Sequence, residues 1–177
     1  MILKSMLPFA MALGLLVGMT GCGTTVVNPV TGQAERTTMD ESTELTEGKK
    51  AHAEVLKEYG VYQDARLQAY VNEVGQKLAK QSHRANIPWT FTVLDSPEIN
   101  AFALPGGYVY VTRGILAYME SEADMAGVIG HETQHVERRH SVKQMQKQRR
   151  LGILSLPGRL VTGIITERGV ARAPFAD

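Results

Sequence analysis

The stretch Val128-Ile129-Gly130-His131-Glu132-Thr133-Gln134-His135 limits what this chain can be more than any other. Successive residues of an α-helix turn by about 100°, so His131 and His135, four apart, stand one turn above the other on one face. Their imidazoles can then grip a single cation. Glu132 is displaced by one step, which sets its carboxylate beside such an ion, where it can hold a water, rather than stacked with the rings. The segment must be helical for this to hold. Ser121, with Asp124 three residues later, is a variant capping box ahead of the apolar run Met125 to Ile129, and predicts a helix from Ser121 through His140. Gly127 and Gly130 weaken that helix by up to about 1 kcal/mol each, which makes sense where another backbone or a substrate must come close.

The pattern H-E-x-x-H on a helix is the donor set of zinc hydrolases. Neutral imidazoles bind Zn²⁺ and leave a position for water, whose pKa falls from about 15.7 to near 7. Glu132 is placed to take the proton as that water attacks a carbonyl, and to deliver it to the departing amine. Peptide-bond hydrolysis is the natural reaction class. No Gly-rich phosphate loop and no evident serine or cysteine nucleophile competes.

Two rings and a water leave a further ligand to be found. The acids after His135 are Glu137, Glu167 and Asp177. On a continuous helix Glu137 is offset by about 200° from His135 and faces away. Glu167, in Ile164-Ile165-Thr166-Glu167-Arg168-Gly169, remains a candidate. His140 falls about 140° around the helix from His135 and reads as structural, while His52 and His83 have no supporting context.

The single cysteine, Cys22, excludes an internal disulfide and a cysteine-based zinc cluster. Its position is more telling. Lys4 precedes an apolar run from Met6 to Met19, followed by Thr20-Gly21-Cys22, the layout of a secretory signal and well short of the roughly 20 residues needed to span a bilayer. Residues 1–21 resemble a bacterial lipoprotein signal, which implies that Cys22 carries lipid and anchors the chain to a membrane. Gly23 after it, rather than Asp, implies an outer-membrane lipoprotein facing the periplasm of a Gram-negative envelope. Residues 22–38, rich in Thr, Gly, Asn, Pro and Val without helical period, read as a flexible tether, and 39–177 as the folded domain.

Within that domain a helix is expected from Glu41 to Glu58 and another from Asp64, its N-cap, to about Gln81, with Leu67, Tyr70, Val71, Val74 and Leu78 as its apolar stripe. Trp89 to Leu94 alternates with period two and reads as a strand. Asn100 to Leu104 and Tyr108 to Thr112 flank Pro105-Gly106-Gly107 and predict a hairpin, followed by one or two helical turns from Ile115 to Glu120.

The order of these features, from Asn100-Ala101-Phe102-Ala103-Leu104-Pro105-Gly106-Gly107-Tyr108-Val109-Tyr110-Val111-Thr112-Arg113-Gly114 through His131-Glu132-Thr133-Gln134-His135-Val136, resembles the M48 family of zinc metallopeptidases over roughly Glu41 to His140. The resemblance implies an α+β, zincin-like domain with an active-site helix and a small sheet. His131 and His135 would be the metal ligands, Zn²⁺ the cofactor and Glu132 the catalytic base. Asn100, Ala101, Phe102 and Ala103 would offer a strand edge along which an extended polypeptide pairs through its backbone. The envelope-lipoprotein members are closest in layout, which implies unfolded or misassembled envelope proteins as substrates. The family's third ligand, a glutamate on a later helix some sixty residues past the second histidine, would fall beyond Asp177, so the domain is expected to be incomplete at its C-terminus.

A formal net charge of +1 carries no nucleic-acid-type excess of basic residues, and no nucleic-acid partner is expected. Locally, Arg138, Arg139, Lys143, Lys147, Arg149 and Arg150 form a basic run that reads as a solvated helix face, the alternative being contact with an anionic membrane. Leu151 to Thr166, broken by Pro157-Gly158-Arg159, reads as a loop and helix over the site rather than a span. The first rival to hydrolysis is a catalytically silent lipoprotein using the same hairpin edge as a chaperone-like binding module, and the second a binder of nucleic acid or anionic lipid through the basic helix.

Overall fold

The structure is a computed structural model that describes residues 24–37 and 39–150, the last three by backbone alone. The expectations about the signal segment, Cys22, Glu167 and Leu151 to Thr166 lie outside the described residues.

Two helices open the domain. α1 (Glu41–Tyr59) is capped by Asp40, whose side chain accepts from the Thr43 N–H, and α2 (Ala65–Ala79) by Asp64, which accepts from Arg66 and Leu67. A three-stranded sheet follows, with β3 (Thr90–Leu94), β4 (Ala101–Leu104) and β5 (Tyr108–Thr112) in the order β3-β5-β4. β4 and β5 form the expected antiparallel hairpin, with Ala101 opposite Val111, and β3 lies parallel to β5 on its far side. Gly106 and Gly107, at φ 83 and 92, supply the left-handed turn that Pro105 begins. α3 (Arg113–Leu116) is a single turn that begins two residues earlier than expected and ends at Leu116, and α4 (Glu122–Glu137) and α5 (His140–Arg150) complete the described elements.

Strand alternation divides the core in two. Phe91 and Val93, Ala103, and Val109 and Val111 point to one face, where α2 brings Val71 and Val74 and α4 brings Met125, Ile129 and Val136. Leu94, Phe102, Leu104 and Tyr110 point to the other, where α1 brings Ala51 and Val55 and α5 brings Val142 and Met145. The sheet is therefore a middle layer, with α2 and α4 below it and α1 and α5 above. Gly48 lets α1 lie directly on the hairpin turn, since a Cβ there would come within 2.0 Å of the Pro105 carbonyl oxygen. No helix among the described residues is long and apolar enough to cross a membrane.

Two expectations need correcting. Residues 24–37 are not an irregular tether: β1 (Thr24–Val27) and β2 (Ala34–Thr37) form an antiparallel hairpin. Asn28 makes the turn, its Oδ1 accepting from the Val30 and Thr31 N–H groups, with Gly32 at φ 68. Glu35 then ties the hairpin to Lys143 on α5 at 2.9 Å. The helix from Ser121 does not run through His140 either. It ends at Glu137, and Arg139, at φ 52, turns the chain before α5 begins.

His52 on α1 has a context that only the fold supplies. Its ring stacks on Tyr108 at 4.5 Å and its Nδ1 lies 2.6 Å from the Tyr110 hydroxyl. Burial pushes the His52 pKa below its ordinary value, and burial likewise raises that of Tyr110, which keeps its proton to donate. The unfolded chain therefore takes up a proton that the folded chain refuses, so this contribution to stability is full above about pH 6.5 and is lost as pH falls toward the depressed value. Urea midpoints at pH 7.5 and 5.5 should differ less in His52→Phe than in the parent. The carboxylates whose pKa is lowered by hydrogen bonds, Glu35 and Asp40, lose their share only at lower pH.

Candidate metal centre

α4 begins with Ser121, whose Oγ accepts from the Asp124 N–H at 3.2 Å, while Asp124 reaches back to the Glu120 N–H at 3.0 Å. That reciprocal pair closes the N-terminus as a capping box does, one residue early on the return bond. The helix buries Met125, Ile129 and Val136 against the sheet, which turns His131 to solvent, leaves His135 half-buried and buries Glu132.

The two imidazoles meet as their spacing requires. His131 Nε2 and His135 Nε2 lie 3.1 Å apart, with their rings nearly perpendicular at 88°. Two nitrogens held 2.0–2.1 Å from one tetrahedral ion are separated by about 3.3 Å, so the pair fits a zinc-sized cation with little adjustment. One carboxylate oxygen of Glu132 and one nitrogen from each ring all lie within 4.8 Å of one another. Among the described residues this is the one group of three such side chains that converges in this way. At that separation a single water can bridge Glu132 and an ion on the rings.

The remaining candidates go elsewhere. Glu137 turns away from the pair, as expected, and its carboxylate lies 3.2 Å from His83 Nδ1, which gives His83 a partner the sequence did not reveal. A Cβ at Gly127 or Gly130 would meet nothing within 4 Å among the described residues, so the close approach expected there is not made by this part of the chain. The basic run is not one solvated face: Arg139 is buried and paired, Lys143 is paired, and Arg138 and Lys147 are exposed.

The strand edge can be narrowed. Thr112 N–H donates to the Asn100 carbonyl at 3.0 Å, and alternate antiparallel pairs exchange such bonds. Asn100 and Phe102 thus turn their backbone groups toward β5, whereas Ala101 and Ala103 turn theirs outward, and Ser141 Oγ takes the Ala103 carbonyl at 3.2 Å. Phe102 itself is buried against Tyr110.

Residues to which the sequence assigns no such role hold the end of α4. Arg84 donates to the Val136 carbonyl at 3.3 Å and to Glu44 at 2.7 Å, and Arg139 donates to the same Glu44 at 2.9 Å and to the Met39 carbonyl at 2.7 Å. His140, on the new helix, brings its Nδ1 to 2.7 Å from His135 Nδ1. No local signal marked this bend, because arginine is not a residue that favours positive φ.

A helix presenting two imidazoles and a carboxylate beside a small sheet defines the chain as a metallopeptidase-type domain of the H-E-x-x-H class. It belongs to peptidase family M48, whose profile it matches over residues 65–173, more than half of the chain. It is 35% identical over 115 residues to the putative beta-barrel assembly-enhancing protease of Vibrio cholerae, an overlap of 63% of this chain and 24% of that protein. The beta-barrel assembly-enhancing protease of Escherichia coli K12 is 34% identical over 97 residues, 55% of this chain and 20% of that one. The mitochondrial metalloendopeptidase OMA1 of Schizosaccharomyces pombe is 37% identical over 100 residues, 54% of this chain and 29% of its own. The matched region thus spans less than a third of each relative's length.

Glu44→Ala would leave two buried guanidinium groups facing each other without their shared anion, at a cost of about 3–5 kcal/mol. Urea unfolding of the variant and parent at pH 7.5 checks this as a lowered midpoint.

Proposed function

We propose that this chain is a zinc-dependent endopeptidase acting on unfolded or misassembled proteins of a bacterial envelope. The observation that carries the reading is the 3.1 Å approach of His131 Nε2 to His135 Nε2 with Glu132 alongside. In this reading His131 and His135 hold the metal and Glu132 is the catalytic base. Zinc, when bound there, supplies a water nucleophile near neutral pH and polarises the substrate carbonyl. Glu132 accepts the proton of the attacking water and returns it to the amine nitrogen as the peptide bond breaks.

The outward-turned backbone of Ala101 gives an extended peptide a point at which to join the sheet edge, which selects for unfolded backbone over any particular side chain, whereas the Ala103 carbonyl is already taken by Ser141. The relatives named as beta-barrel assembly-enhancing proteases support an envelope setting. The signal-like residues 1–21 and Cys22 support export and lipid attachment at the outer membrane, with the peptidase domain occupying 39–177 beyond the hairpin.

Casein cleavage by the zinc-loaded protein tests the activity. Glu132→Gln should lower the rate by about 10²- to 10⁴-fold while zinc content is unchanged. Cleavage unaffected by that substitution would remove Glu132 from the chemistry. Bound zinc without any Glu132-dependent cleavage would favour a polypeptide-binding module instead.

A further inference from the structure

His140 was expected to be remote from the metal pair, and the fold brings it against one of the two rings. Its Nδ1 lies 2.7 Å from His135 Nδ1, with the ring centroids 4.9 Å apart and the planes tilted by 57°. On an uninterrupted helix the two side chains would be about 140° apart. The contact exists because α4 stops at Glu137 and Arg139 takes a positive φ, so that α5 restarts in a new direction with His140 as its first residue. A left-handed residue other than glycine costs about 1–2 kcal/mol, and here the Arg139 side chain offsets it through Glu44 and the Met39 carbonyl.

Two ring nitrogens at 2.7 Å share one proton: one donates, the other accepts. A neutral imidazole that offers the Nε2 lone pair to a cation must carry its hydrogen on Nδ1. His135 is therefore the donor in that state, and His140 must be the tautomer that accepts at Nδ1 and carries its own hydrogen on Nε2. We propose that His140 is a positioning residue: it accepts the Nδ1–H of His135, fixing both the tautomer and the ring angle that aim His135 Nε2 at His131. This rests on the reading that His131 and His135 bind metal. An outer partner of this kind raises ligand basicity and holds the ring, and its loss weakens metal binding by about 10- to 100-fold.

The test is zinc affinity of the full chain, measured by competition with a chromophoric chelator, together with thermal unfolding of the metal-free protein. His140→Phe keeps a ring in the space but accepts no hydrogen bond, whereas His140→Asn places a carbonyl oxygen at the position of Nδ1. The proposal expects about a 10- to 100-fold weaker affinity in His140→Phe, recovery to within a few-fold of the parent in His140→Asn, and metal-free melting temperatures that do not track the affinities. Parent-like zinc affinity in His140→Phe would overturn it. So would a loss in His140→Asn as large as in His140→Phe. A parent protein that binds no zinc refutes the metal reading itself, which keeps the two failures apart.

Discussion

Much of this structure depends on one buried anion. Glu44, on α1, is fully inaccessible to water and receives two guanidinium groups from distant parts of the chain, Arg84 ahead of β3 and Arg139 at the bend between α4 and α5. Removing charges from water costs several kcal/mol each, and such a group is tolerated only where every charge is met by good geometry. That condition is fulfilled here. Among the described residues no buried side-chain nitrogen or oxygen lacks a partner. A cluster of this kind adds less net stability than an apolar core of equal volume would, but it is intolerant of misplacement. It pins α1, the hairpin turn through the Gly106 N–H, and the Val136 carbonyl near the end of α4 to one point.

The pin shapes the junction between α4 and α5. Holding Arg139 in a left-handed conformation ends α4 two residues after His135 and sends α5 back across the other face of the sheet, where Val142 and Met145 enter the core. The same bend turns His140 onto His135 and Ser141 onto the Ala103 carbonyl. The orientation of the His135 ring and the occupation of the Ala103 carbonyl thus meet at one junction, whose Arg139 is held by the Glu44 cluster.

The parts of this arrangement that were legible in the sequence are those governed by neighbours along the chain. The apolar stripe of α2 apart from Tyr70, which is exposed, the Asp64 and Ser121 caps, the Pro-Gly-Gly hairpin and the four-residue spacing of His131 and His135 each follow from local geometry, and each stands where it was expected. What escaped notice depends on partners far away in sequence. Arg139 bends because of Glu44, 95 residues earlier, His83 has a role because Glu137 is folded against it, and His52 is placed by Tyr108 and Tyr110. The β1–β2 hairpin is a different case: Asn28-Pro29 and Gly32 carry a turn signal, but the Thr-rich composition around them has the look of a tether.

The central claim is that the paired imidazoles of α4 are metal ligands. X-ray absorption at the zinc K-edge, recorded on protein loaded with one equivalent of zinc and freed of excess, observes this most directly. The account predicts nitrogen or oxygen scatterers at about 2.0–2.1 Å with the outer-shell pattern of two imidazoles, reduced to one in His135→Ala. A spectrum without imidazole scattering, or one that His135→Ala leaves unchanged, would contradict it.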